Sequence, residues 1–323
     1  MIDREVLTEH FKYALRSMSL TDFAGLFVNE ASALEAFYKL QHGVKDGKMI
    51  SLLFNPHRLD TATITNPISI YQSLQQENLL SGLARMYLYN LEHGINDPFF
   101  CAIQRGFNGI QYVNEFPPHV AREIVQTYSK VKTGEKIRVL DPCAGWGGRM
   151  IGVASLGNTE YFAFEPCTQT FQGLCKLSDW ITTLEPKFKS TVHCKPYEDF
   201  DGDEKEFDIA LTSPPYYDTE HYSDEETNSM NRYHSFDEWC EKFYEPLIMN
   251  TIARVKKDGV FIINVGSRKY PLESKLYEIC EKNGLFCEKL TKNYLSGTGE
   301  GKESFYCISR VKMFTTQNRL FDL

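Results

Sequence analysis

The chain has no cysteine pair of the C-x-x-C kind. Its nine cysteines (101, 143, 167, 175, 194, 240, 280, 287 and 307) are scattered. That spacing argues against a zinc site and a disulfide framework, and it points to a reducing compartment. No apolar run approaches the ~18–20 residues of a membrane-spanning helix. The opening MIDREVLTEHFK lacks the apolar centre of a secretory signal. The expectation is a cytoplasmic protein with no membrane partner and no metal. Internal repeats and low-complexity tracts are missing as well. So is any basic excess: 35 Lys and Arg stand against 43 Asp and Glu, a formal net charge of −8. At first sight that disfavours a nucleic-acid partner. The deficit is local, however. Residues 201–230 hold ten acids and one lysine, a net −9, so the other 293 residues sum to +1. The remainder is ordinary for a globular protein: 323 residues, 42% hydrophobic and 24% charged. This is enough for one large domain or two modest ones.

From residue 137 onward, strand and helix patterns alternate. IRVLD (137–141), YFAFE (161–165), STVHC (190–194), FDIALT (207–212) and GVFIINVG (259–266) are short apolar runs. Runs of this kind suit strands covered on both faces. FCEKL (286–290) and SFYCISRV (304–311) supply the last two strands. The NYLSGTGEGKE between them is too short for a crossover helix, which predicts an antiparallel hairpin at one edge. Between strands, 237–257 carries Trp239, Phe243, Leu247, Ile248, Ile252 and Val255 at helical spacing, with a kink expected at Pro246. Pro271 opens a helix over 271–283, and Gly284 stops it. The alternation predicts an α/β fold with a seven-stranded, mostly parallel sheet. Ahead of it, PPHVAREIVQTYSKV (117–131) reads as a proline-led helix with Val120, Ile124, Val125 and Tyr128 inward. Residues 1–106 read as an N-terminal helical subdomain, with helices over 4–17, 31–42 and 78–93. Its apolar faces (Leu34, Phe37, Leu40; Leu79, Leu83, Met86) require a partner surface.

The first predicted strand runs into VLDPCAGWGGRMIGVA (139–154). Asp141 closes the strand, and glycines follow at 145, 147 and 148. Glycine lets a backbone turn tightly and approach a ligand closely, and open α/β sheets bind ligands at the carboxyl ends of their strands. The loop is not G-x-x-x-x-G-K-[ST], so it is not a phosphate cradle. The second strand ends in Glu165, a carboxylate placed to accept both hydroxyls of a ribose diol. A backbone loop plus an acid, without a phosphate-binding lysine, suits a nucleoside with a zwitterionic tail, such as S-adenosyl-L-methionine. The competing readings are a structural turn and an exposed strand-end acid.

The fourth strand stops at TSPPYYD (212–218). Two prolines cannot donate to a ladder, so a rigid turn places Ser213 and Tyr216 at the strand's carboxyl end. Ser213 and the carbonyl of Pro214 are candidate acceptors for an amino group, with Pro215 fixing the turn. Tyr216 offers a ring on which a base stacks, worth ~1–3 kcal/mol. Tyr217 reads more readily as packing. The segment DTEHYSDEETNSM (218–230) reads as a solvated lid rather than a cation site. Arg232, Arg268, Lys269, Lys275, Lys292 and Lys302 are the candidate basic residues to meet phosphates, although each alone reads as a solvated surface charge.

The order D-P-x-x-G-x-G, then an acidic strand end, then S-P-P-Y resembles the amino-group DNA methyltransferases, and S-P-P-Y resembles their cytosine-N4 branch. NEFPPHVAREI (114–124) resembles the helix that closes over the methionine end of the cofactor in that family. The resemblance covers roughly 107–311 and leaves 1–106 and the tail 312–323 outside it. It implies a class I methyltransferase-like (Rossmann-like) fold and S-adenosyl-L-methionine as cofactor. Asp141, Pro142, Cys143, Ala144, Gly145, Gly147, Glu165 and Pro117 are then the cofactor-binding residues. Ser213, Pro214, Pro215 and Tyr216 are catalytic, and Tyr216, Tyr217 and Arg268 bind substrate. It implies methylation of DNA, as a duplex with a flipped base or a single strand, of the kind used in restriction–modification. Adenine N6 in DNA, a guanine amine in RNA, a protein amide and an inactive cofactor-binding scaffold remain alternatives. The loop departs from the family's usual D-P-F-x-G-S-G-T at Trp146 and Arg149.

Overall fold

The structure is a computed structural model and describes residues 3–63, 67–107, 113, 115–132, 134–266, 269–292, 294 and 303–312. The first third is helical: α1 (Arg4–Ser17), α2 (Leu20–Gly25), α3 (Glu30–Gln41), α4 (Glu77–Glu92) and α5 (Pro98–Gly106). Then α6 (Pro118–Tyr128) leads into β1 (Ile137–Asp141), α7 (Gly148–Ala154), β2 (Thr159–Phe164), α8 (Thr168–Leu184), β3 (Lys189–His193) and β4 (Phe207–Thr212). The short helices α9 (Ser229–Arg232) and α10 (Phe236–Trp239) and the longer α11 (Glu245–Arg254) precede β5 (Val255–Val265). The described chain closes with α12 (Leu272–Lys282), β6 (Phe286–Lys289) and β7 (Ser304–Ser309).

The seven strands form one sheet in the order β3-β2-β1-β4-β5-β7-β6. All pairings from β3 to β5 are parallel, while β7 runs antiparallel to both β5 and β6. This is the expected class I methyltransferase-like sheet with its antiparallel edge hairpin. The chain moves outward from β1 through β2 and β3, then crosses back to β4 on the other side. The carboxyl ends of β1 and β4 therefore border the point where the strand order reverses, the usual ligand crevice of such sheets.

Alternation along the strands divides the core. Val139, Tyr161, Ala163, Ile209, Leu211, Val260 and Ile262 face one way and join α6, α7 and α8. Leu140, Phe162, Phe164, Ala210, Phe261 and Ile263 face the other and join Trp239, Tyr244, Leu247 and Leu276. The first cluster continues without interruption into Phe11, Phe23, Phe37, Leu40, Leu83 and Phe107. The N-terminal helices thus bury their apolar faces against the same side of the sheet. Two of the residues expected in those faces lie outside them. Leu34 is 47% and Met86 37% exposed, because Ala33, Phe37 and Leu40 on α3 and Leu80, Leu83 and Leu88 on α4 form the inward stripes.

The expected kink at Pro246 takes the form of a wide π-turn, Cys240–Tyr244, joining α10 to α11. Proline has no N–H for the carbonyl one turn back and its ring crowds that carbonyl. The wide turn relieves the clash, and the Tyr233 hydroxyl reaches the freed Lys242 carbonyl at 3.4 Å. The helix ends at Arg254 rather than 257, since Val255 already pairs with Phe207 in the sheet.

Candidate active site at the strand ends

The glycine loop between β1 and α7 is held from within by Asp141. Its Oδ1 accepts from the Thr212 hydroxyl (2.7 Å) and the Cys143 N–H (3.2 Å). Its Oδ2 accepts from Arg149 Nε (2.7 Å) and the Tyr161 hydroxyl (2.5 Å). A carboxylate has about four lone-pair sites, so all are taken, and Asp141 is fully buried. In this arrangement Asp141 organises the loop from within. Its partner explains the departure at Arg149. That guanidinium is 5% exposed, lies over the Phe116 ring at 5.0 Å and also donates to the Cys143 carbonyl. A buried carboxylate requires such a cation.

Pro142 and Ala144 are buried, and the Ala144 N–H donates to the Phe164 carbonyl at 2.8 Å. Cys143 and Gly145 keep partial exposure at the crevice. Burial raises the Cys143 thiol well above its ordinary pKa, so it remains a thiol. Gly145 and Gly147 have φ of +57° and +101°, the left-handed region that favours glycine. A Cβ at Gly145 would meet nothing within 4 Å, whereas one at Gly147 would lie 2.5 Å from Leu177. Gly145 is the loop position that faces open space. Pro117, half-buried, caps α6 directly after Phe116. Trp146 is 6% exposed and packs on His57 and Tyr222.

Glu165 stands one residue beyond β2. Its Oε2 accepts the Gly145 N–H at 3.0 Å and its Oε1 the Cys167 N–H at 2.9 Å. Each oxygen keeps a second lone pair. Burial raises its pKa to about 8, opposed by those two backbone bonds.

At the end of β4, the Ser213 and Tyr216 hydroxyls converge on one atom. Both donate to Oδ1 of Asn264, at 3.2 and 2.8 Å. Asn264 is fully buried on β5, and its Nδ2 has no partner among the described residues. It was not among the expected site residues. Its signal was one polar residue inside the apolar run FIINV. Pro214 is buried and Pro215 half-buried, and the Thr219 hydroxyl ties down the Tyr216 carbonyl at 2.7 Å. Tyr217 adopts φ +57° and packs among Tyr270, Phe236 and Trp239, at 5.3, 6.0 and 6.1 Å between centroids. Asp218 is held by Lys269 (2.7 Å) and the Tyr270 hydroxyl (2.8 Å). Arg268 and Lys302 lie outside the described residues.

The acidic segment after Asp218 is tied down rather than simply solvated. Glu220 pairs with Thr63 as an isolated bridge and accepts from the Tyr222 hydroxyl. The Tyr222 ring leans on Trp146 at 6.1 Å. Glu225 accepts from the Thr168 N–H (2.9 Å) and hydroxyl (2.8 Å) at the start of α8. The segment thus runs across the strand ends from Tyr216 to the neighbourhood of Glu165. The described cations expected to meet phosphates each have an acid. Arg232 pairs with Asp199 (2.8 Å), Lys269 with Asp218, Lys275 with Glu278 (2.9 Å) and Lys292 with Glu123. Among the described residues no cluster of His, Cys, Asp or Glu could hold a metal, and no helix is long and apolar enough to cross a membrane.

Comparison with solved structures returns methyltransferases of low identity. A TehB-like SAM-dependent methyltransferase from Corynebacterium glutamicum is 15% identical, over 65% of this chain and 95% of that one, with a TM-score of 0.39. An rRNA methylase from Streptococcus thermophilus is 13% identical over 61% and 98%, with a TM-score of 0.40. A ribosomal protein L11 methylase from Lactobacillus delbrueckii subsp. bulgaricus is 13% identical over 59% and 77%, with a TM-score of 0.38. No protein-family model and no curated protein matches the chain.

Proposed function

We propose that the protein transfers a methyl group from S-adenosyl-L-methionine to an exocyclic amino group of a nucleobase, cytosine N4 in DNA. The observation that carries this reading is the bond from Ser213 to Asn264. A serine hydroxyl has one proton and two lone pairs. Sending the proton to Asn264 Oδ1 leaves the lone pairs available as acceptors at the strand end. An aromatic amine is a poor nucleophile because its lone pair is delocalised into the ring. Ser213 Oγ and the Pro214 carbonyl each accept one N–H, which makes the nitrogen more tetrahedral and aims its lone pair. The catalysis is alignment and electrostatics, with no strong base needed before attack.

The glycine loop fits the cofactor: Gly145 faces open space, and Glu165, in its ionised form, has a free lone pair on each oxygen for a ribose diol. When bound, the cofactor supplies an electrophilic methyl group on a sulfonium. Tyr216, its hydroxyl anchored on Asn264, holds its ring as a stacking surface, and the target base enters flipped or from a single strand. The acid-paired cations and the acidic segment favour a second reading, in which the amine is not carried on a phosphate backbone: a protein amide. Mass analysis of nucleosides from DNA and RNA of cells expressing the protein tests this. N4-methylcytosine in DNA, strongly reduced with Ser213→Ala, is expected. A methylated RNA base or no modified base would overturn the DNA assignment.

A further inference from the structure

We infer that residues 51–58 of the N-terminal region belong to the cofactor site, with Arg58 and Glu115 acting as positioning residues for the glycine loop. The inference rests on the cofactor reading above. Glu115 sits at the hub. Its Oε1 accepts the Gly148 N–H at 3.0 Å, and its Oε2 accepts Arg58 Nη1 at 2.7 Å and the Ser51 hydroxyl. The two charged side chains are 1% and 3% exposed. Three residues before Arg58, Asn55 Nδ2 donates to the Trp146 carbonyl at 3.1 Å. His57 meets Thr170 Oγ1 on α8 at 2.9 Å and sets its ring edge against Trp146. Burial lowers the His57 pKa to about 4, so it remains neutral there. The Gly148 N–H is therefore fixed through the Arg58–Glu115 ion pair, and the Trp146 carbonyl by Asn55, 91 residues earlier in the chain.

The loop needs such support. Gly145 and Gly147 occupy left-handed backbone conformations, and glycine loses more conformational freedom on ordering than any other residue. A loop that orders only when ligand arrives binds weakly, because the ordering cost is taken from the binding free energy. Arg58 also fixes the form of the network. Without it, Glu115 is a buried carboxylate lacking its cation, and it must take up a proton or leave the site. Either response alters or releases the bond to Gly148.

The test is calorimetric titration of the full chain with S-adenosylhomocysteine, well below each variant's unfolding temperature. Wild type is expected to bind one equivalent. Arg58→Met should weaken binding at least about tenfold, since the loop loses its preorganised form. Asn55→Ala, which removes only the bond to the Trp146 carbonyl, should weaken it about threefold. The double variant Arg58→Met with Glu115→Gln should recover to within about threefold of wild type, because a neutral amide can keep the Gly148 bond without stranding a charge. A purely structural role would lower the unfolding temperature in all three and leave affinity unchanged. Wild-type affinity in a cooperatively folded Arg58→Met overturns the inference, and so does failure of the double variant to recover. If Arg58→Met does not fold, wild-type affinity in Asn55→Ala has the same force. If wild type itself fails to bind, the cofactor reading has failed, and that result is distinguishable from the others.

Discussion

The two hydroxyls on Asn264 make opposite predictions for two conservative substitutions. Asn264 is fully buried and receives Tyr216 at 2.8 Å and Ser213 at 3.2 Å. Ser213→Ala removes the longer bond and leaves Oδ1 satisfied by Tyr216, so the stability cost is one ordinary hydrogen bond, about 0.5–1.5 kcal/mol. Its effect on rate is larger. Ser213 Oγ is assigned to accept an N–H whose bond strengthens as the nitrogen becomes tetrahedral, and loss of one preorganised partner costs roughly 10²-fold in turnover. Cofactor affinity should be unchanged, because the lost contact is made in the transition state. Tyr216→Phe removes the shorter bond, again about 1 kcal/mol of stability, but keeps the ring face. Turnover should remain within about tenfold, with the loss appearing mainly in substrate KM. The double variant strands Oδ1 and should cost about 1–3 kcal/mol beyond the singles. Urea unfolding gives the stabilities, and single-turnover methyl transfer gives the rates. A dead Tyr216→Phe beside a fully active Ser213→Ala would refute the scheme, since the phenol would then be the working group.

Gly145→Leu should abolish S-adenosylhomocysteine binding while costing only about 1–2 kcal/mol of stability from its φ of +57°. The position faces open space, so unchanged binding would remove the loop from the site. Arg149→Met should destabilise the fold by about 3–5 kcal/mol, because Asp141 keeps a buried charge without its cation; a shift under about 1 kcal/mol in urea unfolding would contradict that account. Glu165 has a pKa of about 8 in the fold, raised by burial, against ~4.3 in an unfolded chain. Between those values the folded state holds a proton the unfolded state has lost, so stability should fall as pH rises from about 4.5 to 8. The slope approaches at most about 1.4 kcal/mol per pH unit, and Glu165→Gln should flatten it. An identical slope in that variant would show that Glu165 is not the titrating group.

Much of the fold was legible because its causes are local. Continuous apolar runs marked the central strands β1, β2, β4 and β5, and Pro118 and Gly284 marked a helix start and stop within a residue or two. The short connection before β7 ruled out a crossover and so set the edge hairpin. Helix α11 ended early for a nonlocal reason, the pairing of Val255 with Phe207. The N-terminal region could be read as helical, but which apolar residues faced inward depended on a surface supplied by α6, α7 and the sheet. Leu34 and Met86 were misplaced on that account.

The sequence by itself determined the residue types at each strand end: a glycine loop after β1, an acid after β2, a serine and two prolines after β4. Those follow from backbone rules acting over a few residues. The tertiary structure alone decided what each polar group does there. Asp141 and Arg149 are eight residues apart, but their bond matters because Tyr161 and Thr212 close around the same carboxylate. Ser213 and Asn264 are separated by 51 residues, and Arg58 and Glu115 by 57. Hydrogen bonds have a reach of about 3 Å and low-dielectric burial makes each one consequential. A polar side chain's role therefore depends on neighbours that only the folded chain brings to it.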